Sequence, residues 1–145
     1  MTLMWDYDQG HVDVSMSGYI ARALTRFRVQ LPTRPQYSPH ACSTIQYSIK
    51  TQLTEPLDTT NPLDTAGIHT VKELFCVILY YARAINSTIL ITLNTIGSKQ
   101  ATVTQNITAS VTQLLHYIGT HPDATVRFHA SDMVLHIHSD ASYLS

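Results

Sequence analysis

Apolar and polar residues alternate through Leu3, Trp5 and Tyr7 and again through Val12 and Val14, with Asp8-Gln9-Gly10 between the runs. A period of two puts successive side chains on opposite faces of a strand, so the pattern predicts a β-hairpin whose loop uses Gly10 in the left-handed region. The period then lengthens. Ile20, Ala23, Leu24 and Phe27 recur at helical spacing, with Ser15 or Ser17 as the expected cap and Gly18 as a small cost in the first turn. From Leu31 to Gly67 no period is sustained, and the stretch holds Pro32, Pro35, Pro39, Pro56 and Pro62. It reads as a linker or an extended arm lying on another surface.

Three helices are expected next. Ile68, Val71, Leu74, Phe75, Ile78, Leu79, Ala82 and Ile85 form the clearest helical stripe in the chain. Of the adjacent Tyr80 and Tyr81, helical geometry buries one and leaves the other peripheral. A second helix starts at Ser87 or Thr88 and carries Ile89, Leu90, Leu93 and Ile96; its Thr and Ile content leaves its formation to tertiary packing. Thr104 caps a third, with Ile107, Val111, Leu114, Leu115 and Ile118, stopped by Gly119 and Pro122. Alternation returns over Asp123 to Ala130 and Met133 to Ser139, predicting a C-terminal two-stranded ribbon whose edges lack partners. The fold class is therefore α+β: hairpin and helix (1–30), irregular arm (31–67), three-helix region (68–122) and ribbon (123–145).

Composition narrows the function. Charged residues make up 13% of the chain and the formal net charge is −1, so attraction to a polyanion needs a local cluster. One exists: Arg22, Arg26, Arg28 and Arg34 fall in a stretch with no Asp or Glu between Asp13 and Glu55. Two readings stand for it, contact with nucleic-acid phosphates and a solvated helix face. No signal peptide or membrane-length apolar run occurs, so the expectation is an intracellular protein, cytoplasmic or nuclear, without a membrane partner. Cys42 and Cys76 have neither the number nor the spacing of a disulfide framework or zinc site. No small-molecule substrate is indicated.

At the C-terminus, His136, His138 and Asp140 share one strand face. Such a face supplies candidate ligands for zinc or another transition metal, although a closed site wants four; the alternative is a solvated face. Asp140 is also the one acid from Met133 to Ser145.

The order hairpin, SMSGYIARALTRF helix, proline-rich arm, LFCVILYYARA helix, LLHYIGTHPDATVRFHASD and HSDASYLS resembles the C-terminal part of reverse transcriptase in copia-type LTR retrotransposons. The resemblance covers nearly the whole chain, and its weight lies in the ordered series. It implies that Trp5 to Phe27 correspond to the primer grip and the start of the thumb. ELFCVILYYARA would open the connection region, and Leu115, Tyr117, Gly119 and Thr120 would precede ribonuclease H. Ser139-Asp140-Ala141 then matches the first ribonuclease H strand, making Asp140 its first metal-binding carboxylate, here vestigial. Two positions depart from the family pattern: Ser17 stands where proline is frequent, and Phe75-Cys76 replaces a small residue.

What the resemblance implies is a fragment of a retroelement reverse transcriptase. Its partners would be template-primer nucleic acid, bound weakly through Arg22, Arg26, Arg28 and Arg34, and the missing palm, fingers and remaining ribonuclease H. No Asp-Asp pair occurs, so the Tyr-x-Asp-Asp turn that holds the two magnesium ions of the polymerase is absent from this sequence. The expectation is no cofactor and no catalysis for this chain, with Mg2+ serving the complete parent enzyme. The alternative is a small retroelement-derived module that binds protein or nucleic acid without catalysis.

Overall fold

The computed structural model describes residues 1–41, 58–101, 103–132 and 134. The alternating runs form strands β1 (Thr2–Asp6) and β2 (His11–Ser15), paired antiparallel with Trp5 opposite Val12 and Leu3 opposite Val14. Asp6 Oδ1 accepts the Gln9 N–H at 2.8 Å inside the turn, and Gly10 takes the expected left-handed conformation. Helix α1 spans Tyr19–Arg26. Neither Ser15 nor Ser17 caps it; the N-cap is Gly18, at φ 69° with no side-chain cap. The chain must reverse from β2 into α1 while keeping Met16 and Ile20 in the core. A left-handed residue makes that reversal, and glycine does so without the steric cost of a Cβ.

Helix α2 (Thr65–Ala84) begins three residues before the apolar stripe because Asp64 caps it, accepting the Gly67 N–H at 2.9 Å. Val71, Leu74, Ile78, Ala82 and Ile85 of the stripe are buried, and Ile68, Phe75 and Leu79 pack partly against them. Tyr81 is 1% exposed and Tyr80 56%, the division that helical geometry requires. A single 3-10 turn at Ser87–Ile89 leads into α3 (Leu90–Ser98). Ile89, Leu93 and Ile96 are buried, and this packing offsets the weak helix propensity of the β-branched residues. Helix α4 (Gln105–Thr120) has the predicted Thr104 cap and runs one residue past Gly119. At Gly119 the missing side chain makes room for Leu31, which a Cβ would strike.

The first part of this segment lies on α4. Gln36 donates its N–H to Thr120 Oγ1 at 3.0 Å, Gln113 Nε2 donates to the Ser38 carbonyl at 3.3 Å, and His40 Nδ1 sits 3.4 Å from Thr92 Oγ1 of α3. Its far end returns to the start of α4. Leu63 N–H donates to the Val103 carbonyl at 2.9 Å, and Asp58 takes the Thr104 hydroxyl at 2.5 Å.

The C-terminal strand differs from the expectation of a separate ribbon. Strand β3 (Thr125–His129) pairs antiparallel with β2, so among the described residues the sheet has three strands in the order β1-β2-β3. Val126 continues the apolar face on which Val14 is buried, and packing that face on the helices favours the long-range pairing over an isolated hairpin. Apart from Val134, the expected strand Met133 to Ser139 lies outside the described residues. Helices and a small antiparallel sheet around one core make the fold α+β.

Candidate nucleic-acid interface

The four arginines divide by environment. Arg22 and Arg26 sit one turn apart on the exposed side of α1, opposite buried Ile20 and Leu24. Arg26 is not free: its Nη2 donates to Glu73 Oε1 of α2, and its guanidinium lies 5.4 Å from the centroid of the Phe27 ring. That pair joins two helices and removes much of the charge available to a phosphate. Residues 26 and 73 are too far apart in sequence for any local pattern to announce it.

Arg28 occupies an unusual backbone position. The end of α1 is closed by Arg28 N–H donating to the Thr25 carbonyl at 3.1 Å and Val29 N–H donating to the Leu24 carbonyl at 3.0 Å. This is a Schellman motif, whose left-handed residue is usually glycine; here Arg28 holds it at φ 52°. With its Cα held there, Arg28 lies at the rim of a trough of about 590 Å³ lined also by Leu24, Val29, Leu31, Gly119 and Pro122. Arg34 follows on the arm, between Leu31 at Gly119 and Gln36 at Thr120, and so near the C-terminal end of α4. Arg22, Arg28 and Arg34 are exposed and have no acidic partner among the described residues.

Aromatic surface lies beside this basic ground and was not singled out from the sequence. Tyr37 is exposed, with its ring centroid 6.1 Å from that of His121, which in turn is 5.1 Å from Tyr117. An exposed Tyr three residues after Arg34 was the available signal. Trp5 and Tyr7 of the hairpin are 62% and 86% exposed, with their rings stacked at a centroid distance of 6.1 Å. Asp6 and Asp8 flank them, which disfavours a polyanion there.

Arg127 on β3 is neutralised as well. Arg127 donates to both Asp13 oxygens, each at 2.7 Å, across β2 and β3. The hydrogen bond from Arg127 holds the Asp13 carboxyl below its ordinary range, against a smaller opposing effect of desolvation.

Asp140, His136 and His138 lie outside the described residues. Among the described residues no three His, Cys, Asp or Glu side chains gather as metal ligands, and no helix is long and apolar enough to cross a membrane. No protein-family model, curated protein or solved structure matches the chain.

Proposed function

We propose that the chain is part of a retroelement reverse transcriptase, retaining segments that position template-primer and connect the polymerase to ribonuclease H, without a complete active site. The observation that carries this reading is the set Arg22, Arg28 and Arg34, exposed and without acidic partners among the described residues. Guanidinium groups presented this way suit phosphate oxygens, with charge-assisted and often bidentate hydrogen bonds. Phosphate contacts hold a duplex in position but carry no base information, so binding is weak and independent of sequence.

Three contacts give an expected slope of log affinity against log salt of about −2.7, from about 0.9 per neutralised phosphate. The test is binding of a primer-template duplex by fluorescence anisotropy at several salt concentrations, before and after the combined changes Arg22→Glu, Arg28→Glu and Arg34→Glu. Binding should vanish. Equal affinity in both proteins would remove the physical support for the reading.

The same proposal leaves this chain without ribonuclease H activity. In-line attack on a phosphodiester uses two cations about 3.5 to 4 Å apart, held by several carboxylates. Asp140 is alone among the last thirteen residues in being acidic. Incubated with an RNA-DNA hybrid and magnesium or manganese, the chain and its Asp140→Asn variant should leave the RNA strand equally intact. Metal-dependent cleavage lost in the variant would refute this.

A noncatalytic binding module derived from such an element is the second reading. One buried cluster runs from Val14 and Met16 through α1 to α2, α3 and α4, which supports folding without the palm. A cooperative denaturation transition of the isolated chain would favour it.

A further inference from the structure

The sheet is covered unevenly. Cross-strand pairing places Leu3, Trp5, Val12, Val14, Val126 and Phe128 on one face. Val14 is buried there and Val126 packs on the core, but Leu3 is 55%, Trp5 62% and Phe128 57% exposed. The apolar face therefore extends past the helices, and most of the excess is on β1.

Strand β1 is also an edge. Among the described residues it pairs only with β2, so every second residue turns an unpaired N–H and C=O outward. Edge strands in soluble proteins are commonly protected by lysine, proline or a bulge. Thr2–Asp6 reads TLMWD, with neither lysine nor proline, and its register with β2 is uninterrupted.

From this we infer that β1 is a self-association edge: two copies join antiparallel through β1 about a twofold axis at Met4. The pattern of the strand decides the partner. Around Met4 the sequence is symmetric in character, polar Thr2 and Asp6 outside, apolar Leu3 and Trp5 inside. An antiparallel pairing centred there sets Leu3 against Trp5 of the partner subunit, and Trp5 against the partner's Leu3, on the apolar face. Met4 meets the partner's Met4 on the other face, and Asp6 meets the partner's Thr2. No acid opposes an acid. A twofold interface must be self-complementary in this way, with i on j and j on i. Pairing in this register satisfies the outward backbone groups and adds aromatic-aliphatic cross-strand pairs, the unit of sheet stabilisation. Tyr7, stacked on Trp5, widens the contact.

The experiment is sedimentation equilibrium of the full chain across a range of concentrations, with two variants. The wild-type chain should show a monomer-dimer equilibrium. Met4→Lys places two ammonium groups together at the axis and should weaken dimerisation at least about tenfold, since like charges directly opposed are destabilising. Circular dichroism checks that this variant keeps its fold; Met4 is 66% exposed, so the helical core is untouched. The register is read separately by cross-linking, in a background with Cys42 and Cys76 changed to serine. Met4→Cys should oxidise to a disulfide-linked dimer, because directly opposed residues bring their Cβ atoms within about 4.5 to 5.5 Å. Thr2→Cys should not, because its symmetry mate is four residues away from it along each strand. A chain that stays monomeric, a folded Met4→Lys variant that dimerises as well as wild type, or equal cross-linking at both positions would each overturn the inference.

Discussion

Arg28 shows how a single residue carries two demands. Its left-handed backbone closes α1, while its exposed side chain lines the trough beside Gly119 and has no acidic partner among the described residues. Left-handed conformation costs an L-residue with a Cβ roughly 1 to 2 kcal/mol, part of which glycine returns as lost chain entropy. Arg28→Gly should therefore raise stability by up to about 1 kcal/mol in urea denaturation while lowering affinity for duplex. Stability and binding moving in opposite directions would separate the two roles; a destabilised variant would mean that the side chain itself packs. Tyr81 is a second such residue. Buried at 1% exposure, it donates its hydroxyl to the Pro122 carbonyl and accepts the Ala124 N–H, both at 3.2 Å. Burial raises its pKa, so the hydroxyl stays protonated and able to donate. Tyr81→Phe strips a partner from both backbone groups at the junction of α4 and β3. The expected cost is about 1 to 3 kcal/mol, with faster amide exchange concentrated in β3.

Helix α2 supplies the central packing surface, and its stripe was readable from spacing alone. Depth within the stripe was not. Ile78 is buried whereas Leu79 packs only partly, although both fit the helical period. Ile78→Ala should cost about 2 to 5 kcal/mol, and Leu79→Ala clearly less, because the neighbouring site can collapse or admit water. Equal denaturation midpoints for the two variants would contradict this ordering. Helix α4 illustrates a different dependence. It has no acidic residue in its first turn, and the negative charge comes instead from Asp58, far back in the arm. Hydrogen bonds from Thr104 first, then from Thr60, lower the Asp58 pKa from its ordinary 3.8 to about 2. The unfolded chain thus binds this proton more readily than the folded one, and stability rises with pH through that window. The contribution is fully present above about pH 4 and disappears as pH falls toward 2. Asp58→Asn should flatten the acid limb of a thermal-denaturation profile while leaving its neutral limb parallel to wild type. An unchanged acid limb would show that Asp58 does not hold the arm to α4.

For the whole molecule, the arrangement makes the basic ground smaller than the arginine count suggests, since Glu73 takes Arg26 and Asp13 takes Arg127. Reversing Arg26 alone should lower stability more than it lowers duplex affinity, the opposite of reversing Arg22. A thermal melt and an anisotropy titration on the two variants check this. The contrast also marks what was legible beforehand. Periodicity is a property of neighbouring residues, and it disclosed the hairpin, the helices of residues 68 to 122, the Thr104 cap and the division between Tyr80 and Tyr81. Glycine marked the turn at Gly10 but not the left-handed Arg28, because the Schellman closure of α1 depends on Val29 reaching the core beside Leu24. The acidic-free stretch disclosed the four arginines, and nothing local disclosed their partners. Spacing along the chain was enough for the α+β class and for the apolar faces, because a strand and a helix repeat over two and 3.6 residues whatever surrounds them. Long-range packing set the pairing of β3 with β2, the contact of Asp58 with α4 and the ion pair of Arg26 with Glu73. Those contacts join positions up to 114 residues apart, as between Asp13 and Arg127 across β2 and β3, and they form where the packed core brings distant segments together.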